Sequence, residues 1–311
     1  MKIRRFVVVD SKMYARTNCF VSQLIHSLNQ VPEYQIKIIS LEELLYGKVL
    51  HHSSDPIIFI MRQRIFNRLL DDIACKLNDR PIYFYDQDPW NSYLLDSPSY
   101  SFYSKAKRKL NLEKLYLTSK WWADYVQSRE KINATFVRMW MLPKYCSPNP
   151  PFEMRKTLLG FRGTLRNHRK DFFNQLNDLG IEPSIELRHL RYRAYLRWLS
   201  NVKIYLHNES GFFNCDFGLS LMSNAMWIKD IEIATRGTYV IRDDNSECLT
   251  YDVDQIPLIR TYRSISEVPE MIESILGLTE REHRLQQEES IKYIFENNHW
   301  SKTAESILSG K

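Results

Sequence analysis

Short apolar runs alternate with amphipathic segments through the first half of the chain. The run Arg5–Asp10 (R-F-V-V-V-D) is nearly continuous in apolar residues, as in a strand buried on both faces, and Cys19–Leu28 has the apolar spacing of a helix. The same patterns predict strands at Tyr34–Ser40, Ile57–Met61, Pro81–Tyr85, Lys114–Thr118 and Ala134–Met139. They predict helices at Leu41–Leu45, Ile65–Leu77, Ser104–Leu110 and Trp121–Gln127. Such alternation indicates a parallel sheet with helices on both faces.

A proline-rich stretch, Leu142–Pro151, interrupts this alternation. Because four prolines in ten residues do not fit a packed helix or strand, we predict a domain boundary there. A second alternation follows, with predicted strands at Thr157–Phe161, Ser184–Leu187, Val202–Leu206, Thr238–Ile241 and Leu258–Tyr262. Its predicted helices are Asp171–Leu179, Tyr192–Leu199, Ser266–Leu276, Glu280–Asn297 and Lys302–Leu308. The predicted domains are therefore residues 1–147 and 148–295, followed by a terminal segment, 296–311.

Composition narrows the class of protein without selecting a ligand. The 311 residues, 44% of them hydrophobic, suffice for two domains with separate cores. The net charge of +6 is compatible with phosphorylated ligands, an anionic membrane surface or nucleic acid. The five cysteines are odd in number and form no C-x-x-C pair, which indicates a reducing cytosol and neither disulfides nor a zinc site. Since no apolar run approaches about 20 residues, no membrane-spanning helix is predicted, and Met1–Asp10 is too short for a signal peptide.

The segment Ser101–Lys120 is both basic and aromatic. One interpretation is a solvated helix that leads into a strand at Lys114–Thr118. A second is a surface that touches anionic lipid head groups, because aromatic side chains for insertion stand beside cations: Phe102, Tyr103, Lys105, Lys107, Arg108 and Lys109. Nucleic acid is a third use of the same chemistry, although no helix-turn-helix or zinc signature accompanies it.

The stretch Ala225–Asp244 carries the sharpest functional signal. Its apolar spacing predicts a short helix, which Gly237 ends before a buried strand begins at Thr238. Glu232 therefore lies on a helix beside a strand end, where a carboxylate can accept both hydroxyls of a nucleotide ribose. Thr235 and Gly237 join it as candidate nucleotide-binding residues. The alternative is an exposed helix glutamate beside a capping glycine.

A basic loop follows the first strand of the second half. Gly163 and Thr164 can form a tight turn with exposed backbone amides, and Arg166, Arg169 and Lys170 place cations at the start of the next helix. Amides, helix dipole and cations all favour an anion, so this loop is a candidate diphosphate site. The alternative is a group of basic residues that are only solvated.

Polar residues also follow two other predicted strands. His207 and Asn208 begin a loop, H-N-E-S-G, that is expected to line a ligand cleft, although a packing role for His207 competes with a role as a base. In the first half the strand Pro81–Tyr85 runs into D-Q-D-P-W, where Asp86 or Asp88 could act as a general base on an acceptor hydroxyl or could simply form the turn. Further cleft candidates are Arg62 and Arg64. No histidine has metal-ligand spacing, so no metal site is predicted.

With these features placed, the chain resembles glycosyltransferases of the GT-B fold, in particular the group-one and spore-maturation-type bacterial enzymes. The matching text is Phe161–Arg169, Lys203–Glu209, Trp227–Gly237 and Asn298–Lys302. The resemblance implies two Rossmann-like domains facing across a cleft, with the terminal segment packing back on the first domain. It also implies that Glu232 holds the donor ribose and that the Gly163 loop, with Arg166 and Lys170, holds the donor diphosphate. Asn224 stands where the group-one pattern often has a second glutamate.

The function expected from these observations is metal-independent transfer of a sugar from a nucleotide diphosphate sugar to a hydroxyl of a cell-surface polysaccharide or glycoconjugate. Asp86 or Asp88 would activate the acceptor, and no cofactor other than the donor would be bound. The expected location is cytoplasmic, with peripheral contact to the inner face of the membrane through Ser101–Lys120, and no nucleic-acid partner is expected. The competing hypothesis is a non-catalytic basic module that binds nucleic acid or an anionic membrane surface.

Overall fold

The computed structural model describes residues 2–9, 20–47, 55–77, 79–139, 150–165, 167–188, 190, 192–208, 213–214, 220–221, 226, 228–297 and 300–311. The strands are β1 (Ile3–Val9), β2 (Tyr34–Ser40), β3 (Ile57–Ile60), β4 (Ile82–Asp86), β5 (Leu112–Leu117), β6 (Ala134–Phe136), β7 (Thr157–Arg162), β8 (Ser184–Glu186), β9 (Val202–His207), β10 (Phe213–Asn214), β11 (Ser220–Leu221), β12 (Tyr239–Asp243) and β13 (Ile259–Tyr262). The helices are α1 (Phe20–Leu28), α2 (Leu41–Tyr46), α3 (Gln63–Arg68), α4 (Leu70–Leu77), α5 (Phe102–Lys109), α6 (Lys120–Glu130), α7 (Asn167–Asp178), α8 (Tyr192–Leu199), α9 (Ile228–Ala234), α10 (Ser246–Thr250), α11 (Val268–Leu276), α12 (Glu280–Asn297) and α13 (Trp300–Ser309).

The chain forms two compact units. Unit 1 consists of Met1–Arg138, Phe213–Leu221 and Trp300–Lys311, and unit 2 consists of Met139–Phe212 and Met222–His299. The domain boundary predicted between residues 147 and 148 lies outside the described residues and stays a prediction.

Unit 1 is built on a six-stranded sheet in the order β2-β1-β3-β4-β5-β6, with every neighbouring pair parallel. Its central strands are fully buried, since all four residues of β3 and the last four of β1 are shielded from solvent. Burial on both faces explains why these strands read as unbroken apolar runs. The C-terminal helix α13 belongs to this unit: Arg5 Nε donates to the Leu308 carbonyl at 3.1 Å, and the Tyr116 hydroxyl donates to the Ser306 carbonyl at 2.9 Å.

Unit 2 is built on a five-stranded parallel sheet in the order β13-β12-β9-β7-β8. In both sheets the second strand lies on one side of the first, and the later strands follow in order on the other side, four in unit 1 and three in unit 2. The strand order therefore reverses between β1 and β3 in unit 1 and between β7 and β9 in unit 2. In doubly wound sheets the crevice outside the carboxyl ends of the strands at this reversal is where ligands bind.

The predicted α/β class with two parallel sheets is confirmed, while several element boundaries were wrong. The single helix predicted over Ile65–Leu77 is two helices, α3 and α4, because Leu69 leaves the helical conformation (φ −112°, ψ 18°). The last strand of the six-stranded sheet, β6, ends at Phe136 rather than Met139. The helix α10 was not predicted, although Asn245 caps its first turn by accepting from the Glu247 amide at 3.0 Å.

Candidate functional site

The carboxyl end of β7 lies at the strand-order reversal of unit 2. The Tyr205 hydroxyl of β9 accepts from the Arg162 amide at 3.1 Å and donates to the Arg162 carbonyl at 2.8 Å, which ties the two strand ends together. Lys229, in the first turn of α9, donates to the same carbonyl at 2.5 Å, and its ammonium lies 4.5 Å from the centre of the Tyr205 ring. The start of α9 is thereby fixed at the reversal, where a ligand is expected.

The loop after β7 brings together three of the predicted diphosphate-binding residues. Gly163 donates its amide to the Glu186 carbonyl at 3.3 Å, Thr164 is exposed, and Lys170 is exposed in the first turn of α7. Arg169 supports the loop, because its guanidinium donates to the Thr164 carbonyl at 2.7 Å. Arg166 lies outside the described residues. Lys170 makes no hydrogen bond or ion pair within the described part of the chain and remains available to an anion.

A further cation at this edge, Arg188, is already neutralised. Arg188, which follows β8, donates to Glu186 at 2.6 Å and holds the pKa of that carboxyl at about 2, mainly through side-chain hydrogen bonding. A ligand phosphate would therefore have to compete with Glu186 for the Arg188 guanidinium. It would meet no such competitor at the Lys170 ammonium within the described part of the chain.

A fully buried charged network stands behind this edge. Asp230, in α9, contacts His207 Nδ1 through one carboxylate oxygen, and its other oxygen accepts from Arg242 at 2.6 Å. Arg242 belongs to β12 and also donates to the Asp243 carbonyl at 3.1 Å. All three side chains are at most 1% exposed. His207 therefore packs against Asp230 in the interior, and the network holds α9 on β9 and β12.

Glu232 lies on the same side of α9 as Lys229. The two residues are three positions apart, a spacing that places side chains on one helix face, whereas Asp230 points into the sheet. Glu232 is half-buried, and its carbonyl accepts from the Thr235 hydroxyl at 2.8 Å. Asn208, at the carboxyl end of β9, donates to the Tyr262 hydroxyl at 3.0 Å. Asn208 and the Gly163 loop thus lie at this end of the sheet, and Glu232 belongs to the helix whose first turn is tied to it through Lys229.

Thr235 and Gly237 lie at the other end of α9. They precede β12 and are buried near Arg155, which donates to the Val202 carbonyl at the amino end of β9 and to the Arg236 carbonyl, each at 3.0 Å. Burial lowers the pKa of Arg155 to about 10. A six-residue strand spans roughly 17–20 Å, so these two residues are separated from Asn208 and the Gly163 loop, whereas Glu232 is in direct contact with Thr235. Their observed contacts shape the end of the helix.

Gly237 is expected to be intolerant of a side chain. Its φ of +72° disfavours other residues, and a Cβ would lie 2.7 Å from the buried side chain of Gln287, which donates to the Gly237 carbonyl at 3.1 Å. Gly237→Ala should lower the free energy of unfolding by about 1–2 kcal/mol for the backbone and by roughly 1–3 kcal/mol more for the displaced amide. Gly180→Ala is the matched control, because its φ is +75° but no atom lies within 4 Å. If Gly237→Ala and Gly180→Ala lowered the free energy of unfolding in urea by the same amount, the predicted clash with Gln287 would be contradicted.

Unit 1 contains a second candidate site, at the carboxyl end of β4. A cavity of about 210 Å³ is lined by Ile60, Met61, Arg62, Tyr85, Asp86, Gln87 and Asp88. Asp86 is buried and accepts from Gln63, from the Tyr103 hydroxyl at 2.7 Å and from the Asp88 amide at 3.0 Å. Burial raises its pKa although these hydrogen bonds oppose the rise. The contact to the Asp88 amide is the turn interaction expected of an aspartate, so Asp86 shapes the loop and Asp88 is the more accessible carboxylate.

The basic segment 101–120 forms a helix followed by a strand, as its first interpretation predicted. Phe102 and Tyr103 are buried, at 1% and 0% exposure, and are therefore not available for insertion into lipid. Three of the cations make contacts within unit 1: Lys105 donates to the Tyr100 carbonyl at 3.0 Å, Lys107 donates to the Glu130 carbonyl at 2.7 Å, and Lys109 pairs with Asp71. These contacts give the aromatic and basic residues a structural role in unit 1.

Two contributors to these sites, Asp230 and Lys229, were not singled out in the sequence, and Tyr103 was considered there only for membrane insertion. The signal for Asp230 was Arg242, a cation within the buried run T-Y-V-I-R-D, because a charge in a central strand needs a buried partner. No comparable signal marked Tyr103 or Lys229, since nothing in their neighbourhood reveals which distant group they contact.

Within the described ranges no three His, Cys, Asp or Glu side chains are grouped so as to hold a metal ion. The prediction that no metal is bound stays a prediction. In the same part of the chain, none of the helices has the length and apolar character needed to cross a bilayer.

The fold was compared with known proteins. No family model matches the chain, and no curated sequence is detectably similar to it. An α-glucosyltransferase solved with UDP and a 13-mer DNA containing an HMU base superimposes with a TM-score of 0.61 at 11% identity, covering 99% of this chain and 100% of its own. Anabaena Alr3699/HepE, solved with UDP and glucose, gives 0.60 at 10% identity with 99% coverage of both chains.

A third similar structure is the N-terminal domain of Candida albicans trehalose-6-phosphate phosphatase, with a TM-score of 0.60, 10% identity and coverage of 99% of this chain and 97% of its own. Identities this low show the fold alone. The two parallel sheets and their agreement with the transferase structures over the whole chain show that this protein has the GT-B fold.

Proposed function

We propose that the protein is a glycosyltransferase that uses a nucleotide diphosphate sugar, with UDP as the nucleotide best supported. One observation carries this proposal: the whole chain matches the whole length of transferases that were solved with UDP. The sequence resemblance to group-one and spore-maturation-type transferases points to the same class of reaction.

Unit 2 is the proposed donor-binding unit. Glu232 would accept hydrogen bonds from both ribose hydroxyls, since it is half-buried on the α9 face that also carries Lys229. The Thr164 amide, the start of α7 and the cations Lys170 and Arg166 would bind the diphosphate, while the Gly163 amide holds the loop on the Glu186 carbonyl. Lys229 and Asn208 lie at the same sheet edge and complete the donor-binding group. Thr235 and Gly237 would contribute indirectly, by fixing the end of α9.

Unit 1 is the proposed acceptor-binding unit. The acceptor hydroxyl oxygen would attack C1 of the donor sugar, and the bond between C1 and the phosphate oxygen would break. Asp88 would take the hydroxyl proton, with Asp86 holding the loop, and the nucleoside diphosphate would leave with the bonding electron pair. Cations and helix dipole in unit 2 would stabilise the negative charge on that leaving group, so no metal ion is required by this scheme. The acceptor proposed is a hydroxyl of a polysaccharide or glycoconjugate.

Release of UDP from UDP-glucose, with water as surrogate acceptor, tests the proposal. Asp88→Asn should lower this rate by about 100-fold or more, because general bases contribute 10²–10⁴-fold, and should leave the dissociation constant of UDP unchanged. Asp96→Asn is the matched control, as Asp96 is exposed in the same unit. A wild-type protein that binds no nucleotide and releases no UDP would contradict the transferase assignment, whereas an unchanged rate in Asp88→Asn would contradict only the role of Asp88.

A further inference from the structure

We propose that Arg64 and Arg68 of unit 1 form an anion site that takes a phosphate group carried by the acceptor. The assignment of this phosphate to the acceptor rests on the proposed function, whereas the anion site itself rests on the geometry of α3. Arg62, the residue before α3, lines the Asp86 cavity, so this site would extend the acceptor site from a hydroxyl-binding cavity to one that selects phosphorylated molecules.

The inner face of α3 is fixed to the candidate catalytic loop. Gln63 Nε2 contacts the Asp86 carboxylate. The same nitrogen also donates to the Asp88 carbonyl at 3.3 Å and to the Tyr103 hydroxyl at 3.2 Å. Phe66, one turn further along α3, is buried and makes edge-to-face contacts with three aromatic rings. The distances between ring centroids are 4.7 Å to Phe59, 5.2 Å to Phe84 and 5.6 Å to Phe102. This short helix therefore has a defined position relative to Asp86 and Asp88.

The outer face of α3 presents two cations without partners. Arg64 and Arg68 are exposed and four residues apart, so their side chains are neighbours on one face. Neither makes a hydrogen bond, ion pair or ring contact within the described part of the chain. Like charges at this spacing destabilise a helix unless an anion lies between them. The cations of α5 differ, because several of them are used in contacts within unit 1.

A cavity lies against these two arginines. It measures about 360 Å³ and is lined by Arg64, Ile65, Asn67, Arg68 and Pro98. Asn67 Nδ2 donates to the Pro98 carbonyl at 2.9 Å and holds the far wall in place. The volume is in the range of small-ligand sites. Guanidinium groups bind phosphate through paired N–H donors, and two of them match the charge of a phosphate monoester or two adjacent phosphodiesters.

The position of the cavity connects it to the reaction. Arg62, immediately before α3, lines the Asp86 cavity, and Arg64 and Arg68 line the second one. A six-residue helix is about 9 Å long, so one acceptor molecule could place its hydroxyl at Asp88 and a phosphate at the arginines. The volume of the cavity favours a phosphorylated sugar as the source of this phosphate, and a nucleic-acid backbone, which carries the same chemistry, is the alternative that the test distinguishes.

Arginine modification read by mass spectrometry tests the site without relying on turnover. The full-length protein is treated with phenylglyoxal in the presence and absence of inorganic phosphate, glucose 1-phosphate or a single-stranded 12-mer oligonucleotide. Arg64 and Arg68 should be protected at least about fivefold by one or more of these probes. Arg281 and Arg284, exposed on α12, serve as internal controls and should not be protected. Protection by the oligonucleotide alone would assign a nucleic-acid backbone, and protection by glucose 1-phosphate would assign a phosphorylated sugar.

Affinity measurements provide the matched variants. Arg64→Gln/Arg68→Gln should weaken binding of the protecting probe by at least tenfold relative to the charge-matched Arg281→Gln/Arg284→Gln, and should leave UDP binding unchanged. Equal modification with and without every probe, or equal affinities of the two double variants, would overturn the anion site. If the wild-type protein did not bind UDP, the proposed function would be contradicted, but the evidence for the anion site at Arg64 and Arg68 would be unaffected.

Discussion

Replacing Asp230 with alanine is expected to lower the free energy of unfolding of unit 2 by about 3–5 kcal/mol, the usual cost of removing one partner of a buried ion pair. Asp230 contacts His207 and accepts from Arg242 at 2.6 Å, and its side chain is 0% exposed. Without it, the Arg242 guanidinium would remain buried in β12 and would lose the carboxylate that balances its charge. Urea unfolding with hydrogen exchange of the β12 amides measures this loss specifically in unit 2.

Asp244→Ala provides the control for this experiment. Asp244 contacts Arg263 at 3.2 Å, and the Arg263 side chain is 86% exposed, so the loss should be below about 1 kcal/mol. The combined replacement Asp230→Leu, Arg242→Met and His207→Phe should recover much of the stability lost in Asp230→Ala, because it replaces all three ionisable side chains of this network with apolar ones. A single Asp230→Ala variant as stable as Asp244→Ala would show that the buried network does not hold α9 in place.

Replacing Glu232 with alanine is expected to weaken UDP binding by more than about 100-fold. Two ribose hydroxyls donating to a carboxylate contribute about 1.5 kcal/mol each at the lower end of charge-assisted bonds, or roughly 3 kcal/mol together. Because Glu232 is half-buried rather than in the core, the free energy of unfolding without ligand should change little. Calorimetric titration of UDP gives the affinity, and urea unfolding without nucleotide gives the stability.

Two variants separate ribose binding from a general charge effect. Glu289→Ala removes a carboxylate from the exposed face of α12 and should bind UDP as the wild type does. Glu232→Gln keeps one acceptor oxygen and should fall between wild type and Glu232→Ala. If Glu232→Ala bound UDP with unchanged affinity, Glu232 would be an ordinary helix residue beside a capping glycine. If the variant unfolded, its role would be structural.

The fold was largely predictable because its central strands are buried on both faces. The sequences of β1 and β3 are apolar runs that can be recognised without knowing which strands lie beside them. Their alternation with helices then indicates parallel pairing. The break at Leu69 was not predictable, because the apolar spacing continues across it. Only the tertiary contacts of Gln63 and Phe66 show that α3 is a helix distinct from α4.

The candidate site was predictable only where its signal is local. Gly163 and Thr164 follow a strand, and Glu232 stands five residues before Gly237, so spacing alone pointed to them. The direction of α9 then separates Thr235 and Gly237 from the carboxyl edge, which a stretch of sequence does not show. Asp230 and Tyr103 act on residues 12 or more positions away, and pairing over such distances depends on topology rather than on spacing.

Thermal unfolding of the wild-type protein against UDP, GDP, CMP, dTDP and ADP tests the central claim most directly. A nucleotide present at about 100 times its dissociation constant adds roughly 2.7 kcal/mol of stability, a readily measured shift. UDP is expected to stabilise the wild type, and Glu232→Ala is expected to lose this shift while retaining its own unfolding transition. No stabilisation of the wild type by any of the five nucleotides at millimolar concentration would contradict the assignment as a nucleotide-sugar transferase.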